Sequence, residues 1–87
     1  MNEYPEILIL GRDTCEDTIR SRGHLDMLGI PYVYRNVELD AEADVWNRSY
    51  NDGNRVTPVI LVGDPQHPTA VLIEPSDADL QQAVSGS

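Results

Sequence analysis

A run of apolar residues near the start of the chain, in the sequence EILIL at residues 6–10, constrains the fold more than any other feature. Gly11 ends the run. A short strand without polar alternation is typical of one buried on both faces, as in a partly parallel sheet. The other segments must therefore supply the strands and helices that cover it.

Three further segments are predicted to be strands. Residues 30–39 alternate and are rich in β-branched and aromatic side chains, and Pro31 belongs at the start of that strand. Residues 58–62 and 69–73 follow as a third and a fourth strand. The turn between them, at residues 63–68, is short enough to join them in a hairpin.

The first helix is predicted over residues 15–28, directly after the first strand. Asp13 or Thr14 is its candidate N-cap, because short polar side chains accept hydrogen bonds from the first helical N–H groups. The apolar positions that recur at helical spacing are Ile19, Leu25 and Leu28. Gly29 supplies the residue that ends the helix.

Two more helices are predicted, over residues 41–51 and 77–84. Asp40 is the expected N-cap of the former, and Ser76 that of the latter. The element order is then β-α-β-α-β-β-α, which predicts an α/β fold with a four-stranded mixed sheet and helices on both faces. The first two strands are expected to be parallel and the last two antiparallel. This is the thioredoxin-like architecture in its minimal form.

Length and composition limit the class of protein. The chain has 87 residues, so residues 1–87 are expected to form a single domain, with residues 85–87 as a frayed end. Fifteen acidic residues against six basic ones, all Arg, give a net charge of −9, which argues against a nucleic-acid binder. The start of the chain reads as neither a signal peptide nor a membrane span. With a single Cys the chain has no internal disulfide or Cys-only zinc site, and we expect a cytoplasmic monomer.

Cys15, in the sequence DTCEDT, is the candidate catalytic residue. At a helix N-terminus, unpaired N–H groups and the helix dipole favour its thiolate, and Arg12 adds a positive charge on the loop before it. Pro58 stands directly before a strand and is predicted to be cis. Such a bond would turn the backbone of Thr57 outward beside the thiol, where it could pair with an extended peptide. The alternative is that Cys15 is a small buried core residue.

Three segments resemble a glutaredoxin: GRDTCEDTIRSRGHLDMLGIPY, NRVTPVILV and EPSDADL. The resemblance covers roughly residues 6–84 and looks most like the small actinobacterial branch of mycoredoxins and NrdH-type redoxins. It implies a thioredoxin-like (glutaredoxin) fold with a monothiol Cys-Glu-Asp-Thr motif. It also implies a thiol–disulfide oxidoreductase in which Cys15 takes a small thiol, glutathione or mycothiol, from a mixed disulfide, and a second small thiol then frees it.

The resemblance implies roles for further residues. Thr18 occupies the resolving position, where its hydroxyl could hydrogen-bond the thiolate, and Arg12 matches the basic residue ahead of the motif. The candidate contacts to the small thiol are Arg55, Val56, Thr57, Pro58, Ser76 and Asp77. Val56 and Thr57 invert the family's usual order, which matters little if only backbone groups pair. No metal ion or bound cofactor is implied, and the expected partners are the small thiol and proteins carrying mixed disulfides.

Two features depart from the family pattern. Glu16 and Asp17 stand where Pro-Tyr, Gly-Tyr or Gly-Phe is usual. Their charges would raise the pKa of Cys15 whereas Arg12 and the helix N-terminus would lower it, and the sequence leaves the net direction open. The sequence IEPS replaces the Gly-Gly pair before the last helix, which modestly favours mycothiol or a protein disulfide over glutathione. The alternative function is a redox-inactive or sluggish binding or adaptor domain.

Four other polar side chains are predicted to lie on the surface. Arg20 and Arg22 fall within the first helix and read as exposed helix residues. His24 and His67 have no Cys or His at zinc-site spacing, so neither is expected to bind a metal ion.

Overall fold

The computed structural model of the protein describes residues 4–85. Within these residues the strands are β1 (Ile7–Gly11), β2 (Val33–Asn36), β3 (Val59–Asp64) and β4 (His67–Ile73). The helices are α1 (Glu16–Leu28), α2 (Ala41–Arg48) and α3 (Asp77–Ser85). The element order β-α-β-α-β-β-α is the one that the sequence predicts.

The strands form one mixed sheet in the order β2-β1-β3-β4. β1 is parallel to β2 and antiparallel to β3, and β3 and β4 form an antiparallel hairpin. These pairings confirm the predicted sheet. β1 has a strand on each side and is buried along its whole length, as its uninterrupted apolar run requires.

Helices cover both faces of the sheet. On one face α1 and α3 pack against β1, in a core that includes Ile9, Leu25 and Leu80. On the other face α2 packs through Ala43 against a core that includes Leu10. The C-terminal end of β1 leads through residues 12–15 into the start of α1, and Cys15 lies at this junction.

The buried face of α1 differs from the predicted one. Ile19 is 54% exposed and Leu28 36% exposed, so only Leu25 of the predicted apolar stripe lies in the core. The other buried residues of the helix are Thr18 and Ser21. Thr18 and Ser21 are small, so they let α1 lie close to the sheet. The spacing of apolar residues cannot predict this, because it does not register small polar side chains.

The ends of α1 are set by one expected and one unexpected residue. Gly29 ends the helix in the left-handed conformation, with φ 71°, as predicted. The N-cap is Cys15 itself rather than Asp13 or Thr14. The carboxylate of Asp13 instead accepts a hydrogen bond of 2.8 Å from the hydroxyl of Tyr34.

Side-chain caps start the other two helices where the sequence places them. The carboxylate of Asp40 accepts a hydrogen bond of 3.1 Å from the N–H of Ala43 at the start of α2. The hydroxyl of Ser76 accepts one of 3.1 Å from the N–H of Asp79 at the start of α3. Both predicted N-caps are confirmed.

The lengths of β2, α2, β3 and β4 differ from the prediction. β2 begins at Val33, so Pro31 precedes the strand and does not start it. β2 ends at Asn36 because the side-chain oxygen of that residue accepts from the N–H of Glu38 and closes a turn. α2 ends at Arg48, whose carbonyl accepts hydrogen bonds from the loop that follows. β3 and β4 extend further than predicted, so that residues 65–66 alone connect them rather than residues 63–68.

The helices within residues 4–85 are all short. α3 continues to Ser85, a residue that the sequence assigns to a frayed end, while residues 86–87 lie outside the described part of the chain. In residues 4–85 no helix combines the length and the apolar character that crossing a membrane requires.

Candidate functional site

Cys15 lies at the junction of β1 and α1, facing the loop that leads into β3. As the N-cap it has an extended backbone, with φ −85° and ψ 121°. Its side chain is half-buried and makes no capping hydrogen bond. The S–H instead donates to the carbonyl oxygen of Thr57, at 3.4 Å. The Thr57–Pro58 peptide bond is cis, which confirms that prediction.

Arg12 and Thr18 complete the surroundings of the sulfur. Thr18 is fully buried, and its hydroxyl accepts a hydrogen bond of 3.4 Å from the backbone N–H of Arg12. The Nε of Arg12 donates to the hydroxyl oxygen of Thr57, also at 3.4 Å. The structure therefore brings together four of the residues predicted for the site: Arg12, Cys15, Thr18 and Thr57.

The surroundings of Cys15 lower its pKa from the ordinary value. Burial of the sulfur acts in the opposite direction and raises the pKa, but hydrogen bonds to the thiolate outweigh it. The donors are the side chain of Thr57, the backbone and side chain of Thr18, and the backbone of Asp17. Hydrogen bonds from the N-terminus of α1 and from the loop before β3 therefore decide the direction of the Cys15 pKa shift, which the sequence left open.

The two acidic residues after Cys15 have different surroundings. Glu16 is exposed to solvent. The carboxylate of Asp17 pairs with Arg20 at 2.8 Å, which offsets its negative charge beside the thiol. Arg20 is exposed, as predicted, but it also donates to the carbonyl of Pro75 at 3.2 Å and so ties α1 to the segment before α3. The sequence analysis did not predict this contact between Arg20 and Pro75.

The backbone of Val56, a predicted contact to the small thiol, is engaged within the protein. Its N–H donates to the side-chain oxygen of Asn47 at 3.1 Å, and its carbonyl accepts from the side-chain nitrogen of Asn47 at 2.6 Å. Asn47 is fully buried in α2 and also donates to the carbonyl of Leu10 at 3.3 Å. The Val56 backbone therefore anchors the loop before β3 to α2 and is not free to bind a ligand. The sequence analysis did not identify Asn47.

Three more predicted contacts to the small thiol already have protein partners. Arg55 pairs with Asp44 of α2 at 2.9 Å. The hydroxyl of Ser76 caps α3. The Oδ1 of Asp77 lies 3.7 Å from the Nε of Arg20, an ion pair that leaves this oxygen without a hydrogen bond. Any ligand that uses these side chains must compete with contacts that the folded chain makes itself.

The loop that precedes Cys15 is fixed by an aromatic cluster. The guanidinium of Arg22 lies 3.8 Å from the centre of the Tyr34 ring, and its Nε donates to the hydroxyl of Tyr32 at 3.4 Å. Burial, together with the hydrogen bond to Asp13, raises the pKa of Tyr34 to about 12. Arg22 is therefore half-buried in this cluster and is not the exposed residue predicted from the sequence.

The two histidines have different environments. His67 is exposed, as predicted. The side chain of His24 is only 10% exposed, with its Nδ1 3.9 Å from Asp77, so the surface prediction is wrong for this residue. Within residues 4–85 the His24 Nε2, the Ser21 Oγ and the Asp77 Oδ1 are buried without a hydrogen-bond partner. In the same residues no group of three or more His, Cys, Asp or Glu side chains is arranged to hold a metal ion.

Gly11→Ala is expected to disturb the site directly, because a Cβ at Gly11 would lie 2.7 Å from both Cγ2 and Oγ1 of Thr18. Relieving this overlap must displace a fully buried hydroxyl that hydrogen-bonds Cys15. We expect a loss of about 2 kcal/mol in the free energy of unfolding and a higher pKa of the thiol. Urea denaturation and ultraviolet titration of the thiolate measure the two effects.

Gly23→Ala is the matched control for this substitution. A Cβ at Gly23 would meet no atom within 4 Å, and the residue lies inside α1. Alanine is therefore expected to stabilise the helix by about 0.5–1 kcal/mol without changing the pKa of Cys15. If Gly11→Ala behaved like Gly23→Ala, the close packing of Thr18 against β1 would have no role in the site.

In comparisons with known proteins, no protein-family model, no curated protein and no solved structure matches this chain.

Proposed function

We propose that the protein is a glutaredoxin-like monothiol thiol–disulfide oxidoreductase with a thioredoxin-like fold, which removes a small thiol from mixed disulfides. The observation that carries the proposal is the position of Cys15 at the N-terminus of α1, with its sulfur 3.4 Å from the carbonyl of Thr57. Two features support thiolate chemistry there: partial exposure of the residue and a lowered pKa. The single Cys in the sequence restricts the cycle to a monothiol mechanism.

The reaction proceeds in two thiol–disulfide exchanges. The Cys15 thiolate attacks the sulfur of the small thiol in a mixed disulfide, forms a new disulfide with it, and releases the substrate thiolate, which takes up a proton. A second small thiol, as its thiolate, then attacks the bound small-thiol sulfur. This step releases the small-thiol disulfide and regenerates the Cys15 thiolate. The net reaction converts the mixed disulfide and one free small thiol into the substrate thiol and the small-thiol disulfide, so one disulfide bond is broken and one is formed.

Each neighbouring residue has a proposed part in this cycle. Thr18 and Thr57 hydrogen-bond the sulfur whenever it carries negative charge. The small thiol is glutathione or mycothiol, and it approaches along the loop of Thr57 and Pro58 and the start of α3 at Ser76. No bound cofactor takes part. We place the reaction in a reducing compartment, the cytoplasm, with the protein acting as a monomer.

A second candidate function is a binding or adaptor domain with a sluggish thiol. The observation that favours it is that several expected ligand contacts already have partners in the folded chain: the Val56 backbone, Arg55 and the Ser76 hydroxyl. These contacts leave fewer free groups to hold a small thiol. The two candidate functions differ in one respect: only the oxidoreductase passes Cys15 through repeated formation and release of a mixed disulfide.

The test uses one peptide thiol prepared as mixed disulfides with glutathione and with mycothiol. Release of the peptide thiol is followed with the matching small thiol as reductant, and Cys15→Ser gives the background. We expect the protein to speed release clearly over that background for at least one small thiol, because the lowered pKa of Cys15 increases its thiolate fraction at neutral pH. Without the second thiol, mass spectrometry should detect the Cys15 mixed disulfide.

The pH dependence provides a further check. Reactivity rises as the pH passes the pKa of Cys15 and then levels off, and because this pKa is lowered, half-maximal reactivity is expected below that of an ordinary thiol. If Cys15 were alkylated with this profile but neither mixed disulfide reacted faster than with Cys15→Ser, the adaptor function would replace the proposed one.

A further inference from the structure

The outer edge of β4 is the longer of the two free strand edges within residues 4–85. The other belongs to β2, which has only four residues and carries Arg35, whereas β4 has seven residues and no Asp, Glu, Lys or Arg. Short length and charged side chains are the usual protection of a free edge against pairing with another chain. β4 has neither, and Pro68 interrupts it only at its second residue.

The backbone of β4 presents hydrogen-bonding groups at this open edge. The N–H of Glu74, just after the strand, donates to the carbonyl of Pro58 at 3.0 Å, so its backbone faces the β3 side. Backbone direction alternates along an antiparallel strand, so Leu72 also faces β3, and Val71 and Ile73 direct their N–H and C=O groups outward. These outward groups are available to pair with one more strand.

A groove of about 380 Å³ lies along the same edge, between β4 and α3. Leu72, Pro75 and Ala83 form apolar parts of its wall, and Asp79 and Gln82 add polar groups. An extended peptide points successive side chains to opposite faces, so every second side chain of an added strand would enter this groove.

The opposite face of β4 is apolar and accessible as well. Val71 and Ile73 are 39% and 43% exposed, although their partners across β3, Leu61 and Val59, are fully buried. The remaining side chains of an added strand would pack against these two residues. Both faces of an added strand therefore have an apolar surface to cover.

The charge of the region indicates which kind of strand fits. Residues 56–87 contain Asp64, Glu74, Asp77 and Asp79 but no Lys or Arg. Asp77 pairs with Arg20, whereas the ion pairs within residues 4–85 include neither Glu74 nor Asp79, and both of these residues are exposed. A segment with a basic side chain near these two carboxylates would have complementary charge.

We propose that the outer edge of β4 binds an extended, basic segment of a partner protein, which adds one strand to the sheet. The segment has apolar or β-branched side chains at alternate positions, and an Arg or Lys that reaches Glu74 or Asp79. A second copy of this chain fits less well, because the net charge of −9 on each copy is repulsive. The inference goes beyond the proposed function, since none of these residues takes part in thiol exchange.

The experiment titrates the full chain with the peptide Arg-Thr-Val-Thr-Val-Thr-Val-Arg, blocked at both ends, and follows amide hydrogen exchange by NMR. In the free protein the outward N–H groups of Val71 and Ile73 should exchange fast. At a free peptide concentration of about ten times Kd, their exchange should slow about tenfold, because it then occurs only from the unbound fraction. The same peptide with Glu at both ends is the control for charge and should bind more weakly.

Variants of the protein test the edge and its charges separately. Val71→Arg places a positive charge on the edge and should weaken binding of the basic peptide about tenfold or more. Leu39→Arg is the matched control, because Leu39 is an exposed apolar residue that follows β2, at the far side of the sheet. It should leave Kd within about twofold of wild type. Glu74→Gln combined with Asp79→Asn should weaken binding about fivefold and reduce its salt dependence.

Three results would overturn the inference. The first is no binding of the basic peptide at about millimolar concentration. The second is binding that leaves the N–H groups of Val71 and Ile73 in fast exchange, which would place the peptide elsewhere. The third is slow exchange of these groups in the peptide-free protein that becomes fast on dilution, which would assign the edge to a second copy. The peptide contains no sulfur, so these results are independent of whether Cys15 catalyses thiol exchange.

Discussion

Asn47→Ala is expected to lower the free energy of unfolding by about 3 kcal/mol. The side chain is fully buried and makes three hydrogen bonds to backbone groups, one to Leu10 and two to Val56. Alanine would leave these groups buried without partners, each costing about 1–3 kcal/mol, and would open a cavity in α2's packing. Urea denaturation followed by the fluorescence of Trp46, the single Trp, measures the change.

Asn51→Ala is the control for this prediction, since Asn51 is exposed in the loop after α2. Its free energy of unfolding should stay within about 0.5 kcal/mol of wild type. Asn47→Ala should also raise the pKa of Cys15, because Val56 precedes the Thr57 hydroxyl that hydrogen-bonds the sulfur. A loss no larger than that of Asn51→Ala would mean that the three hydrogen bonds do not hold the β3 loop in place.

Leu80→Ala is expected to cost about 3 kcal/mol, within the usual range for a leucine truncated in a core. Leu80 is fully buried, and it and Val84 are the buried residues through which α3 joins the core on that face of the sheet. A domain of this size has a small core, so the loss is a large share of its stability. Thermal or urea unfolding monitored by circular dichroism measures it.

Leu39→Ala makes the same chemical change at a position that is 84% exposed. It should leave the free energy of unfolding within about 0.5 kcal/mol of wild type. Similar effects of the two substitutions would contradict the placement of α3 on the sheet. A large loss for Leu80→Ala with an unchanged pKa of Cys15 would show that α3 contributes stability independently of the thiol site.

Local signals in the sequence predicted most of the fold. The EILIL run predicted a fully buried central strand, Gly29 the end of α1, and Asp40 and Ser76 the starts of α2 and α3. These signals work because each depends on the conformation or hydrogen bonds of a few neighbouring residues. The position of Cys15 before α1 was predictable for the same reason.

The parts of the site that were missed depend on residues far apart in the chain. Arg12 and Thr57 are 45 positions apart, and Asn47 and Leu10 are 37 apart. No local pattern predicts such contacts, so the sequence analysis did not identify Asn47. The inner face of α1 was mispredicted because Thr18 packs closely against Gly11, and hydrophobic periodicity does not register small polar residues.

Because β1 lies in the interior of the sheet, its two edges gain their partner strands at different times during protein synthesis. β1 pairs on one side with β2, which follows soon after it, but on the other side with β3, which begins only at Val59. Until β3 emerges from the ribosome, one edge of a fully apolar strand has no partner, and this is the kind of edge that invites aggregation. We therefore expect nascent chains of this protein to be most prone to aggregation before β3 is available to pair with β1.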